Sequence, residues 1–148
     1  MVENMNKLFE KELLDELNNG DTTLVIRCDE KVIKSNHKGI SPLIELNEKN
    51  LHLEGACAYD KIVGKAAALL YARLNIKYVY AEVLSKRGMD TLDNFGVEYD
   101  YSVFTDEIIN RLKTGMCPME ETVLDVNNPE EAYEKLKKKI IEMKIINS

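Results

Sequence analysis

The sequence predicts an α/β domain: a three-layer α/β/α sandwich built on a mixed, mainly parallel sheet. Three observations carry this. Through its middle and second half the chain alternates short β-branched or small-residue runs with helical patterns, the order that βαβ units produce. Two β-branched runs near the start are split only by Asp29-Glu30, which suggests an antiparallel hairpin at one edge. The length, 148 residues at 45% hydrophobic, suits one domain with a single sizeable core, so residues 1–148 are read as one unit.

Each element has its own signal. Residues 4–18 place Met5, Leu8, Phe9, Leu13, Leu14 and Leu17 on a helical stripe, which Asn18-Asn19-Gly20 ends. Runs 22–28 and 31–36 form the hairpin. Ser41-Pro42 opens a short helix, with Ser as N-cap and Pro in its first turn, ending near Asn50. Leu53 to Ala58 reads as a strand of small residues, and Asp60 as the N-cap of a nearly all-apolar, buried helix over 61–74. Residues 78–84, YVYAEVL, make the strongest strand pattern in the chain. A helix over 86–95 closes at Gly96, residues 97–104 form another strand, and Thr105 caps a helix over 106–112. Pro129 opens the last helix, with Glu130 and Glu131 in its first turn and lysines towards its end, as the helix dipole favours.

Composition narrows the function. The net charge of −6 argues against a general nucleic-acid binder, because phosphate contacts need clustered Lys and Arg. The one basic run, Lys135 to Lys139, is read as a solvated helix end. No apolar run reaches membrane-span length, and the first residues lack a signal peptide's basic and apolar regions, so a cytoplasmic protein is expected. Cys28, Cys57 and Cys117 are an odd, widely spaced set: neither a disulfide framework nor a zinc ribbon. His37 and His52 are isolated, and no metal or cofactor is expected.

Residues 59–70, YDKIVGKAAALL, break a local rule. They set Lys61 and Lys65 in the opening turns of the expected helix, four apart on one face, where the dipole disfavours cations. Such a violation inside an otherwise consistent element points to a site, here for an anion. Gly64-Lys65 invites comparison with a phosphate loop, but Tyr59 stands in the first glycine position and Ala66 in place of Ser/Thr, which argues against a nucleoside triphosphatase. The plainer reading is that Gly64 permits close packing and Lys65 snorkels. Cys117, in CPME after Thr114-Gly115, is the second feature: a thiol beside a proline-fixed turn, reactive only if a cation or helix start lowers its pKa.

These runs carry a resemblance. DKIVGKAAALL (60–70), VYAEVLSKRGMDTL (79–92) and the late NR-x-x-TG-x-CPMEE (110–121) resemble a small family of prokaryotic domains of unknown function, similar in fold to cytidine deaminases. The resemblance implies a deaminase-like sandwich and leaves activity open. The zinc-deaminase residues are missing. Tyr59 stands where the proton-shuttling Glu is needed, and Leu84-Ser85-Lys86-Arg87-Gly88 replaces the cysteine pair. On that fold Lys61, Lys65, Ser85, Lys86 and Arg87 would lie at two adjacent helix starts, and Arg111, Cys117 and Glu120 would close the pocket.

The expected ligand is therefore an anionic small molecule, phosphorylated or nucleotide-like. Asp60, Lys61, Gly64, Lys65, Ser85, Lys86 and Arg111 would bind it, and Cys117 (nucleophile), Lys65 and Glu120 (acid or base) would serve any catalysis. The alternative is a non-catalytic ligand-sensing or protein-interaction domain. Pairing between subunits through the hairpin edge would give a homo-oligomer.

Overall fold

The computed structural model describes residues 11, 14, 15, 17, 20–37, 39–49, 53–110 and 112–147. Its elements are β1 (Leu24–Cys28), β2 (Lys31–Ser35), α1 (Ser41–Glu48), β3 (Cys57–Val63), α2 (Lys65–Arg73), β4 (Tyr78–Ser85), α3 (Lys86–Asn94), β5 (Glu98–Thr105), α4 (Pro118–Thr122) and α5 (Pro129–Asn147). One five-stranded sheet runs β2-β1-β3-β4-β5. The hairpin and the β1–β3 pair are antiparallel, whereas β3–β4 and β4–β5 are parallel. The sheet is thus mixed, and parallel in its second half.

Alternation along β1 sorts the two faces. Leu24 and Ile26 join Ala58, Val79 and Ala81 under the helices, where Leu43, Leu69, Leu70, Leu92 and Leu136 complete the main core. Val25 and Tyr59 point the other way, onto Leu17, with Leu14, Tyr78 and Tyr80 packed around them. Leu14 and Leu17 are helical, so the sheet lies between two helical layers. The rest of the expected first helix falls mostly outside the described residues.

Three local expectations are corrected. Residues 57–63 form a strand, so the helix begins at Lys65 rather than Lys61. Lys61 therefore lies in β3 and does not share a helix face with Lys65. Asp60 caps nothing: it is in mid-strand, and Gly64, with extended backbone, precedes the helix. Pairing decided this, because β3 lies between two strands and its Lys61 N–H reaches the Thr23 carbonyl. Residues 106–112 do not form a helix either. The chain turns back on itself instead, with an isolated bridge between Ile109 and Met116 and Cys117 N–H donating to Ile108 O at 2.9 Å. Finally, Ser41 is already helical and its side chain caps nothing, although Pro42 does sit at the helix start as expected.

Candidate functional site

β3 and β4 are parallel neighbours, and each feeds a helix from its C-terminal end, which brings the starts of α2 and α3 side by side. Gly88 makes the contact close: a Cβ there would lie 2.9 Å from Val63 O and 3.2 Å from the Gly64 Cα. Ser85 caps α3, its buried hydroxyl accepting from Gly88 N–H at 3.0 Å. This uses the side-chain oxygen that an N-cap supplies.

The start of α2 is satisfied differently. Gly64 has no side chain with which to cap it. The acceptor comes from far along the chain. Glu120, on α4, takes Lys65 N–H on Oε1 and Ala66 N–H on Oε2, both at 2.8 Å. The carboxylate is 5% exposed and so effectively out of water. Two of the orphan N–H groups that every helix start presents are thus met by a charged, bidentate acceptor, where the dipole favours negative charge. Gly64 makes room for it, since a methyl group built there would overlap the Glu120 carboxylate. The sequence singled out an anion site at this helix start, and the chain supplies an anion of its own.

Lys65 is buried, and its Nζ donates to Leu124 O at 2.9 Å. Burial pulls its pKa below the ordinary lysine value, opposed by the nearby Asp125 and Glu120 carboxylates. Its backbone grips Glu120 while its side chain ties down the segment just after α4, so one residue holds that segment at two points. Cys117 flanks α4 one turn before Glu120, half-buried and free, with no hydrogen bond to its sulfur among the described residues.

The structure therefore gathers Gly64, Lys65, Ser85 and Glu120, with Cys117 a turn away. Lys86 opens α3 but is exposed, and Arg87 pairs with Glu107 at 3.5 Å. Arg111 lies outside the described residues. Asp60 stands apart, four residues of extended chain or roughly 13 Å before Gly64. Its carboxylate accepts from the Tyr71 hydroxyl at 2.6 Å, and burial, only partly offset by that bond, raises its pKa to about 7. Gly88, Tyr71 and Leu124 did not stand out in the sequence. Gly88 had a signal, a glycine in the first turn of a helix, where only close packing favours it. Among the described residues, no group of three or more His, Cys, Asp or Glu side chains could hold a metal ion.

A family model described as a domain of unknown function (DUF1893) matches residues 12–140. The chain belongs to the DUF1893 family. The crystal structure of a DUF1893 family protein from Thermotoga maritima, at 2.70 Å resolution, superposes with a TM-score of 0.79 at 27% identity, over 87% of this chain and 88% of that one. No curated protein matches the chain. DUF1893 carries no assigned activity, so the function must be argued from the site. Among the described residues no helix is long and apolar enough to cross a membrane.

Proposed function

We propose that this DUF1893 protein is a binding domain for an anionic small molecule, phosphorylated or nucleotide-like, at the start of α2, and that Glu120 is the resident occupant which the ligand displaces. The observation that carries this is the bidentate seating of the Glu120 carboxylate on the Lys65 and Ala66 N–H groups. A helix start that accepts a carboxylate in this way offers a phosphate oxygen the same donors. Displacement frees the 118–124 segment and with it the Lys65 ammonium, now held by Leu124 O. The ligand then gains a cation that the empty state keeps occupied. Lys61 and Lys86 lie on the strand and helix flanking this corner and add positive charge for steering.

A cytidine-deaminase-like sandwich is part of the proposal. Its support is the parallel run β3-β4-β5 with α2 and α3 opening at the ends of β3 and β4, where ligands gather in α/β sheets. The reading is of sensing rather than catalysis. Among the described residues Cys117 has no base or cation bonded to its sulfur.

Calorimetric titration with inorganic phosphate and with a nucleoside monophosphate tests this. Glu120→Gln, which loses the competing charge, should bind about tenfold or more tightly than the natural chain, and Lys65→Ala more weakly than it. No binding by the natural chain or Glu120→Gln in the millimolar range would overturn the reading.

A further inference from the structure

The two edges of the sheet are not alike. Edge strands present unpaired N–H and C=O groups, and proteins commonly blunt them with lysine, proline, a bulge or short length. β2 is blunted: it has five residues, KVIKS, with Lys31 and Lys34 on it. β5 is eight residues long, EYDYSVFT, with no Lys, Arg, Pro or Gly, and its second half carries no charge. Among the described residues its one sheet neighbour is β4.

Most of β5 is exposed, and its exposed positions include large apolar side chains. Tyr101, Val103 and Phe104 are 43%, 53% and 45% exposed, and the Tyr101 and Phe104 rings stand 6.1 Å apart. Ile62, Val83 and Val103 occupy one level of three adjacent strands, a row of β-branched side chains that runs out to the open edge.

We infer that β5 pairs antiparallel with β5 of a second copy of this chain, joining the two sheets into one. The occupant follows from the charge order along the strand. Both acids, Glu98 and Asp100, lie in the first half, and the second half is neutral. Antiparallel pairing lays the acidic half of each copy against the neutral half of the other, so the strand is its own complement. A strand meeting itself about a two-fold axis forms an isologous, closed contact. Centred on Tyr101, the pairing sets Tyr101 against Tyr101, Asp100 against Ser102, Tyr99 against Val103 and Glu98 against Phe104. Aromatic and β-branched residues then face one another and no like charges do. Centring on Asp100 would oppose two carboxylates, and parallel pairing would oppose both acids with their copies. The hairpin edge at β2, where pairing was expected from the sequence, carries lysines instead.

Light scattering after size exclusion and sedimentation equilibrium decide this. The natural chain should be a dimer. Val103→Lys and Phe104→Lys, at exposed positions, should be monomers with unchanged circular dichroism and a melting temperature that no longer depends on protein concentration. Lys31→Glu on the opposite edge should remain dimeric. A monomer at every concentration up to the millimolar range, or a dimer that survives both lysine substitutions, overturns the inference.

Discussion

The Glu120 carboxylate is the most consequential buried group in the structure, and removing it gives the sharpest prediction. It makes two charge-assisted bonds at 2.8 Å, each contributing about 1.5–3 kcal/mol. It also opposes the positive end of α2, which contributes about 0.3–2 kcal/mol more. Water entering the space left by Glu120→Ala will satisfy part of what is lost, so the expected net loss is about 3 kcal/mol. At about 2–4 °C per kcal/mol for a chain of this size, the melting temperature should fall by roughly 6–12 °C. Gly64→Ala should do the same damage from the opposite side, because its methyl would take the volume that the carboxylate occupies. The two changes therefore must not add. The double variant should be about as stable as either single one, with a coupling of about 2–3 kcal/mol. Urea unfolding followed by circular dichroism measures all four corners of this cycle. Additive costs, or a loss below about 1 kcal/mol for Glu120→Ala, would mean that the clamp does not hold α4 onto α2 and that the reasoning is wrong.

Asp60 gives a pH dependence of definite sign. Its carboxyl titrates at about 7 when folded against an ordinary 3.8, because burial disfavours its charge. Between those values the folded state holds the extra proton, so stability present below about pH 4 is lost as pH rises towards about 7. The full shift sets a ceiling of about 4 kcal/mol, and partial exposure of the residue reduces it to about 2–3 kcal/mol. Urea unfolding across that window should show the decline in the natural chain and its absence in Asp60→Asn, which can still accept the Tyr71 hydroxyl; a matching slope in the variant would assign the effect elsewhere. Ser85→Ala removes the cap of α3 and should cost about 1 kcal/mol by the same assay. No measurable loss would mean that water replaces the hydroxyl at Gly88.

What the sequence revealed, and what it hid, follows from the range over which each residue acts. β4 was legible almost to the residue because YVYAEVL is a β-branched and aromatic run bounded by helical patterns. The hairpin was legible for the same local reason, and so were α3 with its closing glycine and the proline that opens α5. The junction before α2 was not. Asp60 looked like an N-cap because a capping aspartate and an aspartate bonded to Tyr71 eleven residues later are identical in sequence. Ile62 and Val63 were the local hint that the strand continues, outweighed by the apolar stretch that follows. At 106–112 the reverse occurred: Thr105 resembled a helix cap, while Thr114-Gly115 marked the turn that in fact returns the chain to Ile108. Glu120 was singled out, but its partners lie 54 and 55 residues earlier, and no pattern within one segment carries that distance.

The clamp also sets what a ligand search must look for. An external anion competes with a carboxylate already attached to the chain, so its apparent affinity falls by the fraction of molecules in which the seat is open. If displacing Glu120 costs about 3 kcal/mol, the open fraction is below about one in a hundred, and an intrinsic micromolar ligand presents as a submillimolar one. A screen run at ordinary concentrations on the natural chain would then find nothing even with the right molecule present. The same screen on Glu120→Gln removes most of that penalty, and the difference between the two apparent affinities measures the strength of the clamp. That value must agree with the stability lost on Glu120→Gln itself, since both report the same two N–H groups. Agreement would identify Glu120 as a displaceable occupant. A ligand that binds both forms equally would lie elsewhere on the protein, and Glu120 would then be a fixed structural cap.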